Sequence, residues 1–286
     1  MSDFRTGRLP VPGASLHYEI HGSGPLLLLM QGGDGNAARG ADLAERLATG
    51  GYTVVVADRR GLSGSTLDDP AAPVTVATHA DDTHRLLASL TDEPARIFGS
   101  SYGALIALTL AGDHPEQVST LVAHDPATIC LLPASARARA HADLAALAEV
   151  YRGEGALPAL RKLAELIHAD FSDREPGVVP PAPRGPDDLD DLHFFLSRDL
   201  PEIRSSGLDA ERIAALAATP VHIVPAAGRG SREIWNYDCA RALAALLDRE
   251  VTEFPGGHSL STHPAAFAAR LREVLEQSPA AAAHNG

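Results

Sequence analysis

Apolar runs of strand length recur along the chain, separated by stretches whose apolar positions repeat every three or four residues. "LHYEIHG" (16–22) and "PLLLLMQ" (25–31) are joined by a Gly-Ser-Gly turn and predict a hairpin at a sheet edge. "YTVVVAD" (52–58), "ARIFGS" (95–100), "TLVAHD" (120–125), "PVHIVPA" (220–226) and "EVTEF" (250–254) follow. These are continuous Val/Ile/Leu runs rather than strict alternations, as in parallel strands covered on both faces. The spacers predict helices: Val76, Ala80, Thr83, Leu87 and Leu90 form one stripe. Ala242, Leu243, Leu246 and Leu247 form another, and Phe267, Leu271, Val274 and Leu275 a third. Strand–helix alternation of this kind predicts an α/β protein with a doubly wound sheet.

One region breaks the rhythm. From 129 to 218 there is no strand pattern, only helical ones such as "ARAHADLAALAEVY", "LPALRKLAELIHADF", "DLDDLHFFLSRDL" and "DAERIAALAA". The link "EPGVVPPAPRGPDD" within it is too rich in proline for regular helix. The segment 129–218 therefore reads as a helical cap inserted between two strands of a core built from 1–128 and 219–286. The tail "SPAAAAHNG" reads as disordered.

Length suits one large α/β domain with an insertion, or two ordinary domains: 286 residues, 45% of them hydrophobic. A formal charge of −13 opposes nucleic-acid binding, since phosphates would be repelled. No stretch has a secretory profile, and the longest aliphatic run is far short of a bilayer span, so the reading is a cytoplasmic chain without membrane contact. Cys130 and Cys239 share no metal or redox spacing and read as reduced, core-type thiols.

The chemistry lies in Gly99-Ser100-Ser101-Tyr102-Gly103, which fits G-x-S-x-G with Ser101 at its centre. A strand turning abruptly into a helix projects the corner side chain above the sheet, and the flanking glycines avoid neighbouring backbone. Ser101 as a plain helix N-cap is the bland alternative, and Ser100 suits that role better. "HADDTH" (79–84) mimics a metal cluster. Its histidines are five apart on a predicted helix, so they point different ways and read as solvated; no metal is expected. His263, before Pro264, reads as the start of the last helix.

With these residues in place the chain resembles the α/β-hydrolase family over nearly its full length. "LLLMQGGDGN" sits where the family has a strand ending in His-Gly-Gly or a similar turn, with Gln31 in the histidine slot. "ADRRGLSGS" (57–65) resembles the Asp-x-Arg-Gly-x-Gly-x-Ser turn, with Ser63 in place of the second glycine. "FPGGHSLSTHP" (254–264) resembles the loop that delivers the catalytic histidine. The resemblance implies an eight-stranded, mostly parallel sheet flanked by helices, with the cap after its sixth strand. It implies Ser101 as nucleophile, His258 as general base, and backbone N–H groups of Gly33 and Tyr102 as the oxyanion hole.

The acid is less direct. The family most often carries it in the loop after the next-to-last strand, where this chain has Arg229, Gly230 and Ser231. Asp125, at the end of "TLVAHD", stands where some branches place it, and is the favoured reading. Glu233 is a second possibility, although an acidic residue in a first helical turn also serves simply to offset the helix dipole. A chain without any acid is the third. Asp125 has its own bland reading as a turn-forming Asp-Pro.

A serine nucleophile suits acyl transfer rather than epoxide or haloalkane chemistry. The reading is a serine hydrolase that cleaves a carboxylic ester or lactone of a small, mainly apolar molecule, with no cofactor, no nucleic acid and no membrane as partner, and with its oligomeric state left open. Leu192, Phe194, Phe195 and Trp235 could line its pocket or merely pack the cap. A non-hydrolytic isomerase, cyclase or ligand sensor with a vestigial triad is the rival.

Overall fold

The computed structural model describes residues 4–33, 35–179 and 185–278. The first half of the chain supplies β1 (Phe4–Val11), β2 (Ala14–Gly22), β3 (Leu26–Met30), α1 (Ala37–Thr49), β4 (Thr53–Ala57) and a two-residue β5 (Thr66–Leu67). Next come α2 (Val76–Leu90), β6 (Ala95–Ser100), α3 (Tyr102–Asp113) and β7 (Val118–His124). Five helices follow: α4 (Ala134–Glu154), α5 (Ala156–Leu166), α6 (Pro186–Phe194), α7 (Leu200–Ser205) and α8 (Ala210–Ala217), with a π-helical turn (Phe195–Asp199) between α6 and α7. The chain then returns to the sheet with β8 (His222–Gly228), α9 (Trp235–Leu246), β9 (Thr252–Phe254) and α10 (Pro264–Glu276).

Strand order is β1-β2-β4-β3-β6-β7-β8-β9, with β5 paired to β2. β1–β2, β2–β4 and β2–β5 are antiparallel and the other pairs are parallel. This is the α/β-hydrolase fold, with a helical cap region after β7, the strand of "TLVAHD". The predicted hairpin between 16–22 and 25–31 is not formed. β2 pairs instead with β1 and β4, and β3 lies between β4 and β6. The missing partner, "FRTGRLPV", is mostly exposed, so no apolar pattern marks it; its proline is tolerated because the strand is at an edge.

Side-chain alternation divides the continuous apolar runs between two cores. Leu28, Met30, Val55 and Ile97 face α2 and α3, whereas Leu27, Leu29, Val54, Val56 and Phe98 face α1 and α10. All of the stripe Phe267, Leu271, Val274 and Leu275 is buried, but in α9 Leu246 is exposed and the buried face is Cys239, Ala240, Leu243 and Ala244. The cap is continuous with the first core: Leu144, Leu147, Leu192, Phe195, Leu196 and Leu200 belong to the same cluster as Leu105 and Ile106 of α3. Among the described residues no helix is long and apolar enough to cross a membrane. Most of the proline-rich link's centre (180–184) and of the tail (279–286) lie outside the described residues. Ser278, at the edge of the tail, is buried and bonded to Thr120 Oγ1 at 3.1 Å.

Candidate active site

Ser101 occupies the bend between β6 and α3 with φ 53° and ψ −115°. A non-glycine residue there costs about 1–3 kcal/mol and persists only when its surroundings impose it. Here they do. Its N–H donates to the His124 carbonyl at 2.9 Å, and its carbonyl accepts from Ala104, Leu105 and Ala127 at 3.1, 3.2 and 3.1 Å. A Cβ on Gly99 would lie 2.7 Å from Ala104 Cα, and one on Gly103 would strike the carbonyls of Met30 and Gln31. Ser101 makes no side-chain cap bond to α3, so the N-cap explanation fails, and Ser100 is buried in β6.

Asp125 lies one strand over. Ser100 pairs with His124 and His124 with Ala226, so Ser101 and Asp125 each follow the carboxyl end of adjacent parallel strands, where open α/β sheets bind ligands. The Asp125 carboxylate is fully buried. Its Oδ2 meets His258 Nδ1 at 3.2 Å and accepts from Ser231 Oγ at 2.6 Å; the Gly228 N–H donates to Oδ1 at 3.4 Å. Asn236 Nδ2 donates to the Asp125 carbonyl at 3.1 Å, fixing the residue at φ 44°. Burial pushes the carboxyl up; His124, the His258 imidazole and the Ser231 hydroxyl outweigh it, and the net direction is down. His124 is itself fully buried among Phe98, Phe254 and Phe267, and burial drives its imidazole down to about 4.

His258 arrives from the loop after β9 and is 10% exposed. The paired glycines before it allow this loop to touch the one after β8: the Gly230 N–H donates to the Gly256 carbonyl at 2.9 Å, and a Cβ on Gly230 would lie 3.2 Å from Gly257 Cα. The structure thus joins His258 to Asp125. Among the described residues Ser101 Oγ makes no hydrogen bond to His258. Glu233 is 85% exposed at the rim, 4.0 Å from His168.

The turn after β3 lies against the serine. A Cβ on Gly32 would be 3.0 Å from Ser101 Cβ, and one on Gly33 would be 3.4 Å from the Phe195 ring. Tyr102, first residue of α3, has no carbonyl one turn earlier to receive its N–H. Arg59 reaches behind the turn: Nη1 donates to the Gln31 and Gly32 carbonyls at 3.1 and 3.4 Å, while Nη2 donates to the Gly33 carbonyl and to Asp199 Oδ2 at 3.1 Å. The Gln31 side chain packs beside Gly35 and Gly40.

Two cap carboxylates anchor on this region. Asp199 receives Arg59 and meets His79 Nε2 at 3.0 Å. Asp191 accepts from Asn36 Nδ2 at 2.7 Å, from the Ser63 N–H at 2.6 Å and from Ser63 Oγ at 2.5 Å. Ser63 has φ 45°, the conformation in which the family's glycine is at ease, and its hydroxyl supplies a bond that glycine could not. Of the aromatic candidates, Phe195 reaches the turn at Gly33. Phe194 packs against Gly61, while Leu192 is buried in the core and Trp235 packs at its margin.

Sequence reasoning took "HADDTH" as solvated, and the structure corrects this. His79 and Asp82 are buried, Asp82 as a bidentate partner of Arg60 at 2.6 and 2.5 Å; Asp81 turns outward to Arg85 and His84 to Gln117. Polar letters on an amphipathic helix gave no sign of partners that come from distant segments. Ser231 was also missed, although it stands in the slot where an acid was sought. Cys130 and Cys239 are free thiols, Cys239 buried.

Comparisons with known proteins agree with this architecture. The α/β hydrolase fold family matches residues 25–192. Uncharacterized hydrolase YraK of Bacillus subtilis (strain 168) is 38% identical over 273 residues, which span 95% of this chain and 96% of that protein. An α/β hydrolase from Sphaerobacter thermophilus DSM 20745 superimposes with a TM-score of 0.66 at 24% identity, covering 94% of this chain and all (100%) of the other. A bacterial membrane phospholipase A gives 0.69 at 20% identity, over 96% and 86% of the two chains. At such identities the last two speak for the fold alone.

Proposed function

The chain is a hydrolase of the α/β-hydrolase family, and we propose that it is a serine hydrolase cleaving a carboxylic ester or lactone of a small, mainly apolar molecule. Asp125 accepts the Nδ1 proton of His258, which leaves Nε2 as the basic nitrogen facing away from the carboxylate. That nitrogen takes the Ser101 proton as Oγ attacks the substrate carbonyl; hydrogen bonds of this kind tighten when substrate is bound. The oxyanion receives the Tyr102 and Gly33 N–H groups. Collapse expels the alcohol, protonated by His258, and leaves an acyl-enzyme. Water then attacks the acyl carbon with His258 again as base, and the acid departs.

The single observation that carries this reading is the 3.2 Å contact between His258 and the buried Asp125, one strand from a strained Ser101. It supports hydrolysis over the non-hydrolytic rival, which drew on the altered acid site and on Gln31. The apolar substrate is supported by Phe195, whose ring lies over Gly33. The test is a fluorophosphonate probe followed by mass spectrometry. Wild type is expected to be labelled on Ser101, and Ser101→Ala to be unlabelled and inactive towards 4-nitrophenyl esters. An unlabelled wild type that hydrolyses no ester overturns the reading.

A further inference from the structure

Resting on the serine-hydrolase reading, we infer that Arg59 is a positioning residue: held from the cap by Asp199, it grips the turn after β3 and so aims the Gly33 N–H at the oxyanion. The residue lies in the "x" of the Asp-x-Arg-Gly turn, and its neighbour Arg60 is occupied with Asp82.

The argument is geometric. Every peptide bond among the described residues is trans, so the carbonyl of Gly32 and the N–H of Gly33, which share one peptide plane, point to opposite sides. Fixing that carbonyl therefore fixes the N–H. The Gly32 carbonyl takes Arg59 Nη1 at 3.4 Å and the Gly35 N–H at 2.8 Å, and the carbonyls on either side, Gln31 and Gly33, are also held by the guanidinium. Two consecutive glycines have more backbone freedom than any other pair, so a turn built on them needs such a clamp to present one geometry. A planar guanidinium with donors on both arms can serve three carbonyls and a carboxylate together, which an ammonium group cannot.

The clamp is braced from behind. Asp199 is fully buried in the π-helical turn of the cap, and pairing it with Arg59 leaves neither charge alone. His79 bonds the other Asp199 oxygen at 3.0 Å and meets the Tyr102 ring edge-on at 5.9 Å; the Arg59 guanidinium lies 5.3 Å from the same ring. One ring of four side chains, Arg59, Asp199, His79 and Tyr102, thus backs both residues whose N–H groups would receive the oxyanion. Because Asp199 belongs to the cap, the cap supplies one of the contacts that aim the oxyanion hole.

The test compares steady-state hydrolysis of 4-nitrophenyl acetate and the rate of fluorophosphonate labelling in wild type, Arg59→Met, Arg59→Lys, Asp199→Asn and Asp191→Asn, each with its Tm. Arg59→Met and Asp199→Asn are expected to lower kcat and labelling rate about ten- to a hundredfold with KM within about threefold, since a misaimed donor costs the transition state and not the ground state. Arg59→Lys recovers part of the loss. Asp191→Asn removes the other cap anchor, lowers Tm, and leaves kcat within about threefold. If the Arg59 and Asp199 variants keep wild-type kcat, or if Asp191→Asn loses as much kcat at equal Tm, the inference falls while Ser101 chemistry stands. If Arg59→Met does not fold, Asp199→Asn and Arg59→Lys decide. A wild type that neither labels nor hydrolyses removes the serine reading itself and this inference with it.

Discussion

Replacing Asp125 by Asn keeps the shape of the side chain but removes the charge that faces His258 Nδ1. At 3.2 Å, a carboxylate and the imidazolium formed in the transition state attract by about 5 kcal/mol at an effective dielectric of about 20. That corresponds to three to four orders of magnitude in rate. The amide also presents a donor where an acceptor is needed and turns the imidazole towards the wrong tautomer, which acts in the same direction. Asp125→Asn should therefore cut kcat for 4-nitrophenyl esters by about 10²- to 10⁴-fold with little change in KM. The structure offers a rescue. Ser231 Oγ lies 2.6 Å from Asp125 Oδ2, so a carboxylate at 231 can occupy nearly the same point from the loop after β8. The double variant Asp125→Asn/Ser231→Asp should regain at least about tenfold over Asp125→Asn alone. An Asp125→Asn enzyme with more than about a third of wild-type kcat would refute the assignment.

Two further outcomes follow from the same structure. Glu233→Gln should leave kcat/KM within about twofold, because an exposed rim carboxylate beside His168 touches nothing in the site; a large loss there would move the acid to Glu233. His124 should make the fold acid-sensitive. Its folded imidazole titrates near about 4, the unfolded one near about 6.5, so as pH falls between these values the unfolded chain binds a proton that the folded chain refuses. Stability then drops by about 2–3 kcal/mol from pH 7 to 4.5, and urea melts of His124→Phe should show a pH dependence smaller by about that amount. Equal pH slopes in the two proteins would exclude the histidine as the cause.

The sequence made legible what local pattern encodes. β3, β4, β6, β7 and β8 are apolar runs buried on both faces, and they stand out because the sheet needs them so. Ser101 was legible because a strand-to-helix bend leaves room only for glycine at 99 and 103. β1 was not, because an exposed edge strand has no buried face to write into its pattern. Its absence misled the pairing of β2, which looked for a partner in the nearest apolar run.

The residues that stayed hidden share a different cause. Asp191 and Asp199 sit in "DLDDLHFFLSRDL", where four acidic letters read as the wet face of a helix, yet both are buried. A buried carboxylate is costly without partners, and those partners lie far off in the chain: Asn36 and Ser63 for one, Arg59 and His79 for the other. Each looks ordinary alone. Ser63 is an imperfect match to a glycine motif, Arg59 an unassigned position inside it, and His79 a surface histidine by pattern. Only when the cap is laid on the carboxyl edge of the sheet do these separate anomalies cancel in pairs. Replacing Ser63 by the family's glycine would ease φ 45° but remove one of the three donors to Asp191, the serine hydroxyl, which also accepts from Asn36 Nδ2 at 2.9 Å. The departure from the motif is thus the local trace of a cap fixed to its turn by charge.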